Sequence, residues 1–196
     1  MNLLYDPLFR VLTEAGPEEV SLPTLLELFG EDAVRQLVGI QRYQADAFHV
    51  FLAYLGGAVL ARRGDTSPVQ AADYWRTGLM ELAGPSGEQA WSLLEDDLLK
   101  PAFMQPPLLT DKKSGTIVST LDELDVLQTA KNHDIKRTRA DRGHPDEWIY
   151  ALISLQTMSG FSGNGNYGIS RMNGGHGTRM IVELIRSRRL GKRWAD

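Results

Sequence analysis

Apolar residues recur at helical spacing along much of this chain. The longest such pattern runs over residues 31–63. Val34, Leu37, Val38 and Gln41 start a stripe that continues through Ala45, Phe48, Phe51, Leu52, Leu55 and Val59, which predicts helix and core. His49 lies beside that stripe with no acidic or histidine partner three or four residues on, so it reads as structural and not as a ligand. Ser21-Leu-Pro-Thr24 opens a shorter helix through about Phe29, with Ser21 or Thr24 as its cap and a proline in its first turn. Residues 68–83 form another, closed by Gly84-Pro85. Trp91 to Leu99 reads as helix, with Glu95-Asp96-Asp97 on solvated faces. The capping box Thr120-Leu-Asp-Glu123 starts a helix through about Thr129. Pro145 starts one on which Trp148, Ile149, Leu152 and Leu155 pack inward, ending at Gly160.

Strand signals are short. Residues 3–12 read as one or two strands broken at Asp6-Pro7, Glu14 to Glu19 as a turn, and Met180 to Ile185 as strand-like. Pro101 to Gly115 reads as an ordered loop. The fold class expected is α+β: one mostly helical globular domain over residues 1–196, with short strands and long ordered loops.

Composition narrows this. Hydrophobic residues make up 42% of the 196, enough for a real core. The chain has no cysteine, which removes disulfides and thiolate metal sites and fits a reducing cytoplasm. Asp6 and Pro7 interrupt the opening apolar run, so MNLLYDPLFR is not expected to be a secretory leader, and no stretch is expected to span a membrane. Charge is unevenly spread. Residues 1–100 hold 7 Lys+Arg against 15 Asp+Glu, while residues 101–196 hold 14 against 10. From Lys131 onward the count is 12 against 6, so a nucleic-acid site belongs in the last third of the chain.

Two segments there carry candidate chemistry. Residues 160–177 contain seven glycines. Glycine lets a backbone approach a ligand closely, and Asn164, Asn166 and Asn173 add amide groups and tolerate left-handed conformations. Arg171, His176 and Arg179 supply charge, so this loop can set backbone N–H groups against phosphates or against base edges in a minor groove. No Gly-Lys-Ser/Thr makes it a Walker loop. A helix, not a strand, precedes Gly163, Gly165 and Gly168, so it is no dinucleotide fingerprint. In the second segment, Lys131, Lys136, Arg137 and Arg139 can neutralise phosphates, while Asn132 and His133 can hydrogen-bond bases or sugars. His133-Asp134 also leaves open a small metal-dependent phosphohydrolase. The acidic N-terminal half leaves open a protein-only adaptor. No serine elbow, catalytic carboxylate pair or redox motif is present.

Several of these residues also resemble a known family. Met1-Asn-Leu-Leu, the Ser21-Leu opening, Pro101-Ala-Phe-Met-Gln105, the Leu124-Asp-Val-Leu…Lys131-Asn-His-Asp loop and Gly160-Phe-Ser-Gly-Asn-Gly-Asn-Tyr-Gly-Ile-Ser-Arg-Met-Asn-Gly-Gly175 occur in order. Together they resemble the N-terminal part of CasA, the large subunit of the type I-E CRISPR Cascade complex. The resemblance implies a non-catalytic, cytoplasmic subunit of an antiviral ribonucleoprotein, without cofactor or metal. Its implied partners are the guide RNA, double-stranded target DNA, the other Cascade subunits and a helicase-nuclease recruited in trans. Such a subunit reads the short protospacer-adjacent motif (PAM) in duplex DNA with a glycine loop, to which Gly160, Phe161, Ser162, Gly163 and Asn164 correspond, and Asn166, Tyr167, Arg171 and Asn173 extend that expected DNA contact. The neighbourhood of Lys131, Asn132 and His133, with Lys136, Arg137 and Arg139, corresponds to the guide-RNA contact. The loop that wedges into the duplex and the C-terminal helical bundle of the longer family members have no counterpart in these residues.

Overall fold

The computed structural model describes residues 1–107, 121, 143–157 and 187–195. The described part is mostly helical with one small sheet, as the sequence pattern implies. Strand β1 (Phe9–Leu12) pairs antiparallel with β2 (Pro17–Val20) on one side and with the two-residue β3 (Gln36–Leu37) on the other. Phe9 and Val11 are fully buried, and their neighbour Arg10 faces the other way, as the two-residue period of a strand requires. Only the residues after Pro7 are extended; Leu3 and Leu4 lie in a turn and are buried there. The turn before β2 is also tighter than expected. It occupies Thr13 to Gly16, and Pro17 begins an edge strand, where a missing N–H costs no ladder bond.

Helix α1 (Leu22–Gly30) starts at Ser21, with Pro23 in its first turn, and buries Leu22, Leu25, Leu26 and Phe29. The long helix expected over residues 31–63 is shorter. Only Arg42–Arg63, helix α2, is helical. Asp32 and Gly39 take positive φ, and residues 35–38 bond to β1 instead, through Arg35 N–H to Leu12 O and Val38 N–H to Arg10 O. Val34 and Leu37 are still buried, but by strand pairing and not by a helical stripe. Helix α2 ends at Gly64, which adopts φ 74° and caps the last turn as a residue with a Cβ rarely does. Among the described residues α2 alone is long and apolar enough, by length and composition only, to cross a membrane, and in this fold its Phe48, Leu52 and Val59 face the core.

Helix α3 (Ala72–Ala83) begins four residues later than expected and passes at Gly84 into a 3₁₀ segment, Gly84–Trp91. Of the helix expected from Trp91 to Leu99, only Trp91 is in a helical segment, the end of that 3₁₀ turn; residues 92–99 are not helical. The Glu95 carboxylate accepts the Asp97 N–H and the Asp97 carboxylate accepts the Leu99 N–H, so side chains take the donors a helix would use. Leu94, Leu98 and Leu99 are left exposed in this loop. Helix α4 (Pro145–Thr157) buries Ile149 as expected but otherwise turns a different face inward. Asp146, Ile149, Tyr150 and Ile153 are buried, while Trp148, Leu152 and Leu155 are only partly covered. A short helix α5 (Leu190–Ala195) lies on α1 and α2 and buries Trp194. The helix expected from Thr120 to Thr129 and the strand at Met180 to Ile185 lie outside the described residues, apart from Leu121.

Gly78 marks a close helix contact. A Cβ on Gly78 of α3 would collide with the γ-methyl of Val59, a stiff and fully buried side chain on α2. Gly78→Ala is expected to cost about 1–3 kcal/mol through overpacking. Urea denaturation checks this, and an unchanged midpoint contradicts the packing described.

Candidate functional site

The residues expected to touch nucleic acid lie outside the described residues: Lys131, Asn132, His133, Lys136, Arg137 and Arg139 in one segment, and Gly160, Phe161, Ser162, Gly163, Asn164, Asn166, Tyr167, Arg171 and Asn173 in the other. The structure describes the framework from which both segments depart and to which they return.

The two departure points are neighbours. Phe103 is buried against Trp91 and Phe51. Its N–H donates to Ser92 O at 2.7 Å, and the Gln105 amide donates to Leu93 O at 2.9 Å. At the end of α4, the Gln156 amide donates to Met104 O at 2.8 Å. Leu93 N–H in turn bonds Met1 O, Leu3 N–H bonds Trp91 O, and Leu22 N–H bonds Leu3 O. Met1–Leu4, Ser21-Leu22 and Pro101–Gln105 therefore share one hydrogen-bonded junction, although up to 104 positions separate them in the chain.

A charged cluster fixes the start of α4. Asp146 has no exposed surface and accepts three bonds from Arg10: the backbone N–H at 3.2 Å, Nε at 2.9 Å and the second guanidinium nitrogen at 2.9 Å. Glu147 receives that guanidinium at 3.0 Å. His144 spans from Asp146, through Nδ1 at 3.2 Å, to Glu19, through Nε2 at 3.5 Å. Glu19 is the residue directly opposite Arg10 across the β1–β2 pair, so pleat and register put both on the face that α4 covers. Gly39 leaves room for this arrangement: a Cβ there would lie 2.5 Å from the Arg10 guanidinium. The hydrogen bond to Asp146 holds Arg10 even more firmly protonated than usual. Burial pushes the Tyr150 phenol well up, and its hydroxyl is buried without a hydrogen-bond partner among the described residues.

This arrangement clamps the helix to the sheet. Each acid of the cluster is engaged by Arg10 or His144, and no group of three His, Asp or Glu among the described residues is placed to hold a metal ion. His49 is buried on α2, in keeping with a structural role. Arg10 lies 136 positions from Asp146 and leaves no local signal of its role in the sequence. No family model, curated protein or solved structure matches this chain.

Proposed function

We propose that this chain is a non-catalytic, CasA-like large subunit of a type I-E Cascade complex, or the N-terminal portion of one, which recognises the PAM in target DNA and contacts the 5′ end of the guide RNA. The observation that carries the reading is the ordered series of motifs from Met1 to Gly175, above all the glycine- and asparagine-rich stretch from Gly160. The junction formed by Met1–Leu4, Ser21-Leu22 and Pro101–Gln105 supports it, because three separate motifs of that series meet in one structural unit.

In this reading the stretch from Gly160 to Asn173 approaches the minor groove. That groove presents nearly the same acceptors for A·T and T·A, so a backbone loop there gives short, permissive recognition. Lys131, Lys136, Arg137 and Arg139 bind phosphates, with Asn132 and His133 beside them, and base pairing to the guide supplies the remaining discrimination. The working site is the cytoplasm, and a helicase-nuclease recruited in trans does the cutting.

The test is assembly with the other subunits and a guide RNA, followed by binding to duplexes with and without a PAM. Wild type is expected to prefer the PAM duplex by at least about tenfold, the weight of one good base contact. Gly163→Asp, which sets a carboxylate against the DNA backbone, is expected to abolish that preference. Assembly without PAM preference removes PAM reading, and failure to assemble removes the Cascade reading altogether.

A further inference from the structure

Helix α5 is held by its apolar side. Trp194 is 7% exposed and meets Phe29 and Trp75 edge-on, with ring centroids 6.1 and 5.7 Å away. Gly191 sits so close to Phe29 O and Asp32 that no Cβ fits there. With that side fixed, Arg188, Arg189 and Lys192 lie outward, and Arg193 is largely covered, its side chain 15% exposed. Arg189 pairs with Asp32 at 2.6 Å, and the Lys192 N–H bonds the same carboxylate at 3.2 Å. Arg193 pairs with Asp46 at 3.2 Å. Arg42 lies one turn back from Asp46 on the same face of α2 and is exposed. Arg188, Arg42 and the Lys192 ammonium are exposed and make no ion pair among the described residues. Five cations thus meet two carboxylates, and counting Glu31, next to Asp32 in the chain, still leaves the surface positive.

We propose that this surface, formed by Arg42, Arg188, Arg189, Lys192 and Arg193, binds the sugar–phosphate backbone of duplex DNA. The inference deepens the nucleic-acid reading given above and adds a contact outside both loops assigned there. Asp32 and Asp46 hold two guanidinium groups in place, so less side-chain freedom is lost when phosphate arrives. Trp194, the aromatic of this helix, is buried, so it offers no platform for an unpaired base. Recognition of single-stranded RNA relies on such stacking, which favours a duplex as the ligand. The contact is independent of sequence and acts through phosphate charge.

The experiment measures binding of a short fluorescein-labelled duplex by the full chain over a salt series. Each phosphate contact contributes about 0.9 to the slope of log affinity against log salt. Arg188→Gln/Lys192→Gln removes the two cations without ion pairs, so the slope is expected to fall by about 2 and affinity at low salt by at least about tenfold. Arg62→Gln, at the far end of α2, is expected to leave the slope unchanged. An unchanged slope in the double variant, an equal fall with Arg62→Gln, or a fall seen on single-stranded RNA alone overturns the proposal. In the assembled complex the double variant is expected to weaken PAM and non-PAM duplexes equally. A wild-type complex without PAM preference therefore counts against the Cascade reading alone, and an unchanged salt slope counts against this surface alone.

Discussion

Asp146→Ala is expected to destabilise the protein by about 3–5 kcal/mol, the cost of breaking a buried ion pair from one side. Asp146 has no exposed surface, and three Arg10 donors converge on it. Without it the Arg10 guanidinium keeps only Glu147, and its backbone N–H loses an acceptor in a site that water reaches poorly. Asp146→Asn keeps the shape and one acceptor oxygen but loses the charge, so it is expected to fall between wild type and Asp146→Ala. The pair Arg10→Met/Asp146→Leu is expected to recover part of the loss, because two apolar groups need no partners. Urea denaturation of the four proteins measures these differences. A loss below about 1 kcal/mol for Asp146→Ala would be that of an exposed ion pair, and would mean that the cluster does not clamp α4.

Trp194→Ala is expected to cost a further large amount, about 3–5 kcal/mol, as a bulky aromatic removed from a packed site does. Trp194 touches Phe29 on α1, Trp75 on α3 and the backbone of α2 at Gly56, so one side chain joins α5 to three helices. The Gly56 contact supplies a sharper test. A Cβ there would lie 2.6 Å from the Trp194 ring, so Gly56→Ala is expected to destabilise wild type although alanine favours helix by about 1 kcal/mol. In the Trp194→Ala background the clash is gone, and the same substitution is expected to become neutral or stabilising. Thermal unfolding of the four variants checks it. Additive effects would show that α5 does not dock at Gly56.

Both variants bear on the candidate site through its supports. Asp146 anchors the helix that leads to Gly160, and Trp194 anchors the helix that follows Arg179 in the chain. A loop that reads DNA through its backbone depends on where its ends are held.

Much of this framework was legible in the sequence. Ser21 with Pro23, Gly84-Pro85 and Pro145 are local signals, since helix ends depend on residues within a turn of each other. Misreadings occurred where a distant partner competed with a local preference. Residues 31–41 have helical periodicity but pair with β1. Trp91 to Leu99 has it too, but Glu95 and Asp97 bond the backbone of their own loop. On α4 the expected stripe was Trp148, Ile149, Leu152 and Leu155; Ile149 is buried as expected, but Asp146 is drawn inward by Arg10, and Tyr150 and Ile153 are buried in place of the other three. The positive balance of the last third of the chain was visible, but the pairing of Arg189 with Asp32 and of Arg193 with Asp46 was not.

Sequence alone determined the class of the fold, the approximate helix boundaries, the charge asymmetry and the motifs that carry the functional reading. Each depends on composition or on spacings of a few residues, which the chain states directly. Tertiary structure decided which face each helix buries, that β3 exists, that Arg10 meets Asp146, and that Met1–Leu4 and Pro101–Gln105 form one junction. Those outcomes depend on contacts between residues far apart in the chain, from 23 positions for Leu12 and Arg35 to 136 for Arg10 and Asp146, where burial and charge pairing outweigh the small local preferences that a sequence displays.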